Sequence, residues 1–489
     1  MPVVVAGDNS PDLADVVKML TQQQAQLDAQ KQFLTDQQKL INKLQAEQTE
    51  SKADYEQKIA DQQVVIDEQR QSMRAMQTQI DTLSDFDPSE MTEEEKEFRS
   101  RLQTLEESIA ESTDASSTSF DADSFPGSLP IPGSAAAIRI GGFVKANYIQ
   151  SFNSIGSKDR FIVGSIPTDP EAQGDAQAEL TVSQSRLSFD LRDNTDVGVL
   201  RAFIEGDFAG DGDTFRLRHA YGQAADFLAG KTWSVFADVE ASPEEIDFEG
   251  INGRVLVRQT QFRWFPKIGR DSNLIVSLED PQPDIANGES TSLIPDTIAS
   301  IRRNLFGNWH VKSALLVRSI EGRWTCNATV NPLCVNEKKD SVFAWGLTVS
   351  GKVPFTKWDP RDNILFQVNL GKGMGGYTTD LSSVGGGDAQ FDPTGNLYAL
   401  PVLAGYVAFQ KWWQESLRST FIVSTVNIDN YSWQGPGSYN RTQRTSGNLI
   451  WSPTVRVDLG GELIWGRRED KDEADGTALQ LQLSAKYRF

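Results

Sequence analysis

Strict alternation of apolar and polar residues over positions 138–489 constrains the fold of this chain more than any other feature. The last eleven residues show it most clearly: Leu479, Leu481, Leu483, Ala485, Tyr487 and Phe489 are separated by Gln480, Gln482, Ser484, Lys486 and Arg488. A period of two places alternate side chains on opposite faces of a β-strand. Sixteen segments of this kind begin near residues 138, 179, 197, 213, 226, 253, 272, 296, 308, 340, 361, 401, 416, 440, 455 and 476.

The connections between these segments alternate between short turns, such as 192–196 and 452–454, and long polar stretches, such as 153–178 and 237–252. This arrangement is typical of an antiparallel transmembrane β-barrel of the outer membrane. A closed barrel pairs every backbone polar group, which lipid requires. No run approaches the roughly 20 apolar residues of a membrane-spanning helix. The alternative is a large soluble β-sandwich or propeller, but no blade repeat is visible.

The amino-terminal region has a different period. Leu13, Leu20, Leu27, Leu34 and Ile41 recur every seventh residue, and the pattern resumes at Ile59 after a stutter. Heptads of this kind predict an α-helical coiled coil over 11–110, with a break near Pro88. A single solvated helix is the alternative. We expect 1–10 to be disordered and 111–137 to be a Ser/Pro-rich linker, and, since no signal peptide is visible, the chain to be mature with an added start Met.

The polar faces of the first strands are basic. The predicted pore-lining basic residues are Arg139, Lys145, Arg186, Arg192, Arg201, Arg216, Arg218, Arg254 and Arg258, and Asp190, Glu205 and Asp207 share these faces. A sixteen-stranded barrel is wide enough for an aqueous channel, and its polar faces point inward. Guanidinium groups bind carboxylates bidentately, so this wall is expected to attract anions.

The long connection after the fifth strand is acidic. It carries Asp238, Glu240, Glu244, Glu245, Asp247 and Glu249. In sixteen-stranded channels the third long loop folds into the lumen, so we interpret this segment as the constriction loop. An acidic loop opposite a basic wall would create a transverse field. Alternatively, the arginines only pair with the loop and hold it in place.

Several motifs resemble the DcaP-like trimeric porins of Gram-negative bacteria. They are Phe215-Arg-Leu-Arg-His-Ala-Tyr-Gly222, Gly230-Lys-Thr-Trp-Ser234, Asp247-Phe-Glu-Gly250, Val257-Arg-Gln259, Phe366-Gln-Val-Asn369, Asn448-Leu-Ile-Trp-Ser-Pro453, Gly466-Arg-Arg-Glu-Asp470 and Ser484-Ala-Lys-Tyr-Arg-Phe489. The resemblance covers essentially all of 138–489, although Lys231 stands where the family more often has Gln. It implies a homotrimer that passes small hydrophilic solutes, preferentially anionic ones, with dicarboxylates among them.

Smaller signals concern cysteine, histidine and the last residue. Cys326 and Cys334 lie in one long loop, where a disulfide is expected in an oxidising compartment, with two free thiols as the alternative. Two Cys and two His leave little room for a metal site, and no cofactor is expected. A hydrolase would need a nucleophile near His219 or His310, and no such motif is present, so we predict no enzyme. Phe489 matches the terminal aromatic assembly signal of outer-membrane barrels.

Together these features predict a passive outer-membrane porin for small anionic solutes, with its helical region in the periplasm. The expected partners are other copies of the chain in a homotrimer, outer-membrane lipid and lipopolysaccharide, the solutes, and peptidoglycan. A net charge of −21 argues against nucleic acid as a partner. The alternative functions are a structural tether that links the outer membrane to the cell wall through the coiled coil, and a general non-selective porin.

Overall fold

The computed structural model describes residues 125–489, apart from 154, 173, 196–197, 267–271, 306–308 and 325–337. The predicted disordered segment 1–10, the coiled coil over 11–110, most of the linker 111–137 and the Cys326–Cys334 disulfide lie outside the described residues.

Sixteen antiparallel strands of the described chain form one closed barrel. They are β1 (Ala136–Ser151), β2 (Gln177–Thr181 continued by Arg186–Thr195), β3 (Gly198–Asp207), β4 (Arg216–Ala224), β5 (Phe227–Trp233), β6 (Arg258–Trp264), β7 (Ser272–Glu279), β8 (Asp296–Asn304), β9 (His310–Trp324), β10 (Lys339–Pro354), β11 (Asn363–Lys372), β12 (Pro401–Gln414), β13 (Leu417–Ile428), β14 (Tyr439–Thr454), β15 (Val457–Asp470) and β16 (Asp475–Arg488). The barrel closes where β1 pairs with β16, with Phe143 opposite Arg488. The predicted transmembrane β-barrel with sixteen antiparallel strands is confirmed.

The observed strand starts lie within three residues of the predicted ones, except for the sixth strand. That strand was predicted to begin near residue 253, but it begins at Arg258. Residues 253–257 instead belong to a loop inside the barrel, where Val255 forms an isolated bridge with Thr378 of another loop. Apolar alternation cannot distinguish such a segment from the strand that follows it.

Apolar side chains form the outer surface of the barrel. On β12, Leu403 and Val407 are 50% and 58% exposed, whereas Ala404 and Tyr406 between them are each 3% exposed. Strands of a membrane barrel present this band to lipid. Gly142 lets β1 and β2 approach closely, because a Cβ there would lie 2.2 Å from the carbonyl oxygen of Arg186.

The two ends of the barrel differ in their connections. At one end, the short-turn end, neighbouring strands are joined by brief segments such as 225–226 and 455–456. At the other, the long-loop end, connections such as 234–257 and 373–400 are long. β1 begins and β16 ends at the short-turn end.

The inward face of the second half of the barrel is mixed. Buried polar side chains such as Lys312, Arg318 and Ser424 share it with apolar ones. Ile298, Leu316 and Val426 point inward and are fully buried. They pack against Phe236 and Met374 from two of the long loops. Our expectation that the polar faces point inward therefore holds only in part on these strands, because the loops also bury apolar side chains against them. The open part of the lumen lies against the first strands.

Candidate functional site

Three long loops fold into the barrel and narrow it. They are the first loop (152–176), the constriction loop (234–257) and the sixth loop (373–400). The sixth loop pairs with the constriction loop through Gly253 N to Thr379 O at 3.1 Å and Thr379 N to Arg254 O at 2.8 Å. The first loop meets it where Phe161 N donates to Asp247 Oδ1 at 3.0 Å. The three loops thus support one another at one level of the lumen.

The base of the constriction loop is anchored to β9 and β10. Asp238 accepts hydrogen bonds from His310 Nε2 at 2.9 Å and from Ser350 Oγ at 2.6 Å. Lys312 Nζ donates to the carbonyl oxygen of Ala237 at 2.5 Å. Burial opposes ionisation of Asp238, but the His310 hydrogen bond and the Lys312 charge outweigh it and hold the pKa of Asp238 at about 2. Asp238 is therefore an ionised anchor.

The tip of the constriction loop binds a fully buried guanidinium on β14. Arg444 lies 3.0 Å from Asp247, 3.4 Å from Glu245 and 3.6 Å from Glu462 of β15. The backbone N–H groups of Ile246 and Asp247 both donate to Glu462 Oε2. Burial is the largest cause that raises the pKa of Glu245, to about 7, against the attraction of nearby arginines.

Two further contacts fix the tip and the returning part of the loop. Lys145 Nζ donates to the carbonyl oxygen of Ile246 and to Gln184 Oε1, both at 2.7 Å. Gly253, with φ of 75°, passes so close to the wall that a Cβ would lie 2.6 Å from Thr425 O. The predicted pore-lining residue Lys145 thus holds the loop tip.

The six acidic residues of the constriction loop all have partners. Asp238 pairs with His310, Glu240 with Arg302, Glu244 with Arg418, Glu245 with Arg254 and Arg444, Asp247 with Arg444, and Glu249 with Arg160 and Ser383. Within the described chain, Arg254 is the only one of the nine predicted basic residues that pairs with an acidic residue of this loop, and it belongs to the loop itself. The loop is held mainly by charged side chains that were not predicted from the sequence. Most of the predicted basic residues therefore do not pair with the loop.

A cavity of about 320 Å³ lies between the constriction loop and the first strands. It is lined by Arg160, Arg186, Arg216, Arg218, Trp233, Pro243, Glu245, Asp247, Phe248, Glu249, Arg254, Leu256, Arg258, Thr379 and Ser382. Six of these side chains are arginines and three are acidic. The cavity therefore has an excess of positive charge.

Three arginines of the cavity wall share two carboxylates of β3. Asp207, which is fully buried, accepts two hydrogen bonds from Arg216 at 2.9 Å and one from Arg218 at 2.6 Å. Glu205 lies 3.1 Å from Arg218 and 3.6 Å from Arg186. Because three cations face two anions, the wall itself is positive by one charge.

Arg258 is the cavity cation that no carboxylate neutralises. Its guanidinium lies 4.6 Å from the ring centroid of Trp233, which holds it by a cation–π contact. Among the described residues it forms no ion pair and no side-chain hydrogen bond. An anion that enters the cavity can use these N–H donors without displacing a protein carboxylate.

The predicted residues Arg139, Arg192 and Arg201 lie away from this cavity. They surround Asp190 near the short-turn end, at closest distances of 3.5, 3.0 and 2.8 Å. The structure thus separates the nine predicted basic residues into a cavity group, this Asp190 group and the anchoring Lys145.

Several residues of the site were not predicted from the sequence. Arg160 lies in the first loop, and Thr379 and Ser382 lie in the sixth, where no period marks the residues that point into a lumen. Arg444 carried a signal, since it lies on the polar face of β14 in the same phase as Thr442, which is also buried. The phase identifies an inward side chain but not the loop that it contacts.

The described residues contain no group of three His, Cys, Asp or Glu residues able to hold a metal ion. His219 Nδ1 is 3.0 Å from Thr232 Oγ1, and His310 is bound to Asp238 of the loop base. In this part of the chain, no helix has both the length and the apolar content to cross a membrane.

Comparison with known proteins gives one family and several similar structures. The family model described as DcaP outer membrane protein matches residues 120–489. The crystal structure of the outer membrane channel DcaP of Acinetobacter baumannii is 21% identical, with a TM-score of 0.64 over 74% of this chain and 99% of that one. At this identity the similarity shows a common fold.

Two further structures are less similar. Outer-membrane expressed OmpT of Vibrio cholerae has 12% identity and a TM-score of 0.47, over 74% of this chain and 100% of its own. An anion-selective porin from Comamonas acidovorans has 9% identity and a TM-score of 0.46, over 72% and 100%. The comparison with curated proteins gives no significant match.

Proposed function

Because the chain belongs to the DcaP outer membrane protein family, we propose that it is a porin for passive diffusion of small hydrophilic, preferentially anionic solutes, with dicarboxylates among them. The family and the fold point to an outer-membrane channel rather than an enzyme. The preference for anions and for dicarboxylates is the finer part of the proposal.

The observation that carries this preference is the guanidinium of Arg258, which has no carboxylate partner among the described residues, in a cavity with six arginines and three acidic side chains. A fixed positive charge in a narrow, water-filled passage raises the local concentration of anions and repels cations. Arginine also matches the planar geometry of a carboxylate. A solute with two carboxylates can meet Arg258 and the Arg216–Arg218 wall at the same time.

Ion selectivity in a planar lipid bilayer tests the proposal. The full-length protein is inserted, a tenfold KCl gradient is applied, and the reversal potential is measured. We expect the sign that corresponds to preferred chloride passage, together with a fall in chloride current when succinate is added. A reversal potential on the cation side would refute anion preference. A value near zero with no effect of succinate would favour the general non-selective porin.

We also propose a homotrimer, embedded in outer-membrane lipid and lipopolysaccharide. β5 and β6 have only seven residues and β7 has eight, whereas a strand that crosses the membrane needs about 9–11. The outer side chains Phe227 and Phe262 on these short strands are 61% and 71% exposed. Another copy of the chain would cover this apolar wall better than lipid, and chemical cross-linking of native membranes tests for three copies.

The tether to peptidoglycan rests on the heptad pattern over 11–110 alone. It is compatible with transport, because it would use a different part of the chain. Co-sedimentation of the full-length protein with purified peptidoglycan, compared with a variant that lacks 1–110, tests this role. Equal sedimentation of the two would remove it.

A further inference from the structure

A second group of arginines lies on the same wall, towards the short-turn end, and we propose that Arg139, Arg192 and Arg201 form a separate binding site for carboxylate anions, in series with the constriction cavity. This inference rests on the proposed function and adds to it a second site and a direction of access.

The three arginines converge on one carboxylate. Asp190 accepts hydrogen bonds from Arg201 Nε and Nη2 at 2.8 and 3.0 Å and from Arg192 Nη2 at 3.0 Å, and Arg139 Nη2 is 3.5 Å away. The Asp190 side chain is 2% exposed, whereas Arg139, Arg192 and Arg201 are 43%, 26% and 27% exposed. The negative charge is therefore buried in the wall, and the three guanidinium groups are partly exposed to water.

The strand register places like charges opposite each other, which is unfavourable for arginines that have only a structural role. Arg192 and Arg201 are direct cross-strand partners on β2 and β3. Like charges opposite each other destabilise a sheet, and these two arginines share the single carboxylate of Asp190. Arg139, from the other neighbouring strand, adds a third charge and forms no hydrogen bond of its own among the described residues. Local rules that are broken in this way are expected at functional sites.

Aromatic rings hold the guanidinium groups in position. Arg201 lies 5.3 Å from the ring centroid of Phe203 and 5.6 Å from that of Tyr221. Arg139 lies 4.8 Å from the ring of Phe125. Cation–π contacts at these distances fix the planes of the guanidinium groups, and the N–H donors of Arg139 form no hydrogen bond among the described residues. A carboxylate would find preorganised donors that need no rearrangement.

The second site is distinct from the constriction cavity. Arg201 and Asp207 are six positions apart on β3, which is roughly 20 Å along an extended strand. In outer-membrane barrels the short turns face the periplasm, so Arg139 lies on the periplasmic side of the constriction. Two sites in series allow an anion to leave the first when the next one is occupied, as multi-site conduction requires.

Sided addition of succinate to single channels tests the second site. The full-length protein is inserted in one orientation in KCl, and the apparent dissociation constant is measured from the fall in chloride current. For Arg139→Gln, we expect succinate from the periplasmic side to bind roughly fivefold more weakly, the loss expected for one partly exposed charge contact. Asp190→Asn should tighten binding from that side, because it removes the neutralising charge.

A matched control is Arg361→Gln. Arg361 is 40% exposed, pairs with Asp359 at 2.9 Å and lies in a turn at the same end of the barrel. It should leave succinate binding unchanged from either side. Binding equal to wild type in Arg139→Gln, or weaker binding in Asp190→Asn, would overturn the second site.

Arg258→Gln separates this inference from the proposed function. If both sites exist, Arg258→Gln weakens succinate binding from both sides, and Arg139→Gln weakens it mainly from the periplasmic side. An effect of Arg258→Gln without an effect of Arg139→Gln would remove the second site alone. The reverse result would support the second site and refute the constriction cavity as a binding site.

Discussion

Arg444 and Asp247 meet inside the barrel, where Arg444 Nη1 donates to Asp247 Oδ2 at 3.0 Å although the two residues are 197 positions apart. Neither side chain is exposed to solvent. Glu245 and Glu462 approach the same guanidinium. The position of the constriction loop is therefore set by a buried charge cluster that joins it to β14 and β15, and the width of the passage depends on that cluster.

Removing the buried cation should release the loop tip. In Arg444→Met three carboxylates lose their common partner, and breaking a buried ion pair on one side costs about 3–5 kcal/mol. We expect a lower apparent melting temperature of the sheet signal and a larger, noisier single-channel conductance. Arg467→Met, which changes a 38% exposed arginine of β15, is the control. Unchanged conductance in Arg444→Met would show that the cluster does not fix the loop.

The stability of the loop attachment should depend on pH through Glu245. Burial raises the pKa of this carboxyl from 4.5 to about 7 in the folded protein, so the folded state keeps the proton longer than the unfolded chain. Its contribution to stability is complete below about pH 4.5 and falls as the pH rises to about 7.

Glu245→Gln isolates this contribution, because the amide does not titrate. The difference in apparent melting temperature between wild type and variant should become more negative from pH 4.5 to pH 7 and stay level above that. A constant difference across this range would contradict the raised pKa of Glu245. Titrating groups that do not interact with Glu245 cancel in the comparison.

Neutralising a carboxylate behind the wall should increase anion preference. Asp207 binds Arg216 through two hydrogen bonds and Arg218 through one, so Asp207→Asn removes the carboxylate that both cations share and adds one positive charge to the cavity. We expect the reversal potential in a KCl gradient to move further to the anion side. A shift towards cations would show that Asp207 only orients the arginines.

The terminal aromatic residue should matter for assembly. Phe489 is 48% exposed, and its N–H donates to the carbonyl oxygen of Gly142 at 3.2 Å, beside the seam between β1 and β16. Phe489→Ala should lower the amount of folded, heat-modifiable protein in outer membranes severalfold. Tyr487→Ala, equally exposed at 47% on the same strand, is the comparison. Equal yields for Phe489→Ala and wild type would count against the assembly signal.

The barrel itself was predictable because lipid forces a period of two on every strand. Leu483 and Tyr487 could be assigned to the outer face from alternation alone, and the structure leaves them about half exposed. The interruption of the second strand at 182–185 was not predicted. It is a turn in which Ser185 N donates to Val182 O, and the strand segments on both sides of it pair with β1.

The site could be predicted only in part, because loops carry no such period. The basic wall at Arg216 and Arg218 follows from strand phase, and both residues line the cavity. The sequence does not show that loops cover the inward apolar residues Ile298 and Leu316, because their alternation is the same as that of any strand. Arg160 reaches the cavity from a loop, and nothing in its neighbourhood in the sequence marks that position.

The reversal potential of Arg258→Gln, compared with wild type and with Arg361→Gln, tests the central claim most directly. Arg258 supplies the one positive charge of the cavity without a carboxylate partner among the described residues. Its replacement should therefore reduce anion preference without leaving a buried carboxylate unpaired. We expect a clear shift of the reversal potential towards zero in Arg258→Gln and none in Arg361→Gln. A reversal potential in Arg258→Gln equal to that of wild type would contradict selection of anions by this cavity.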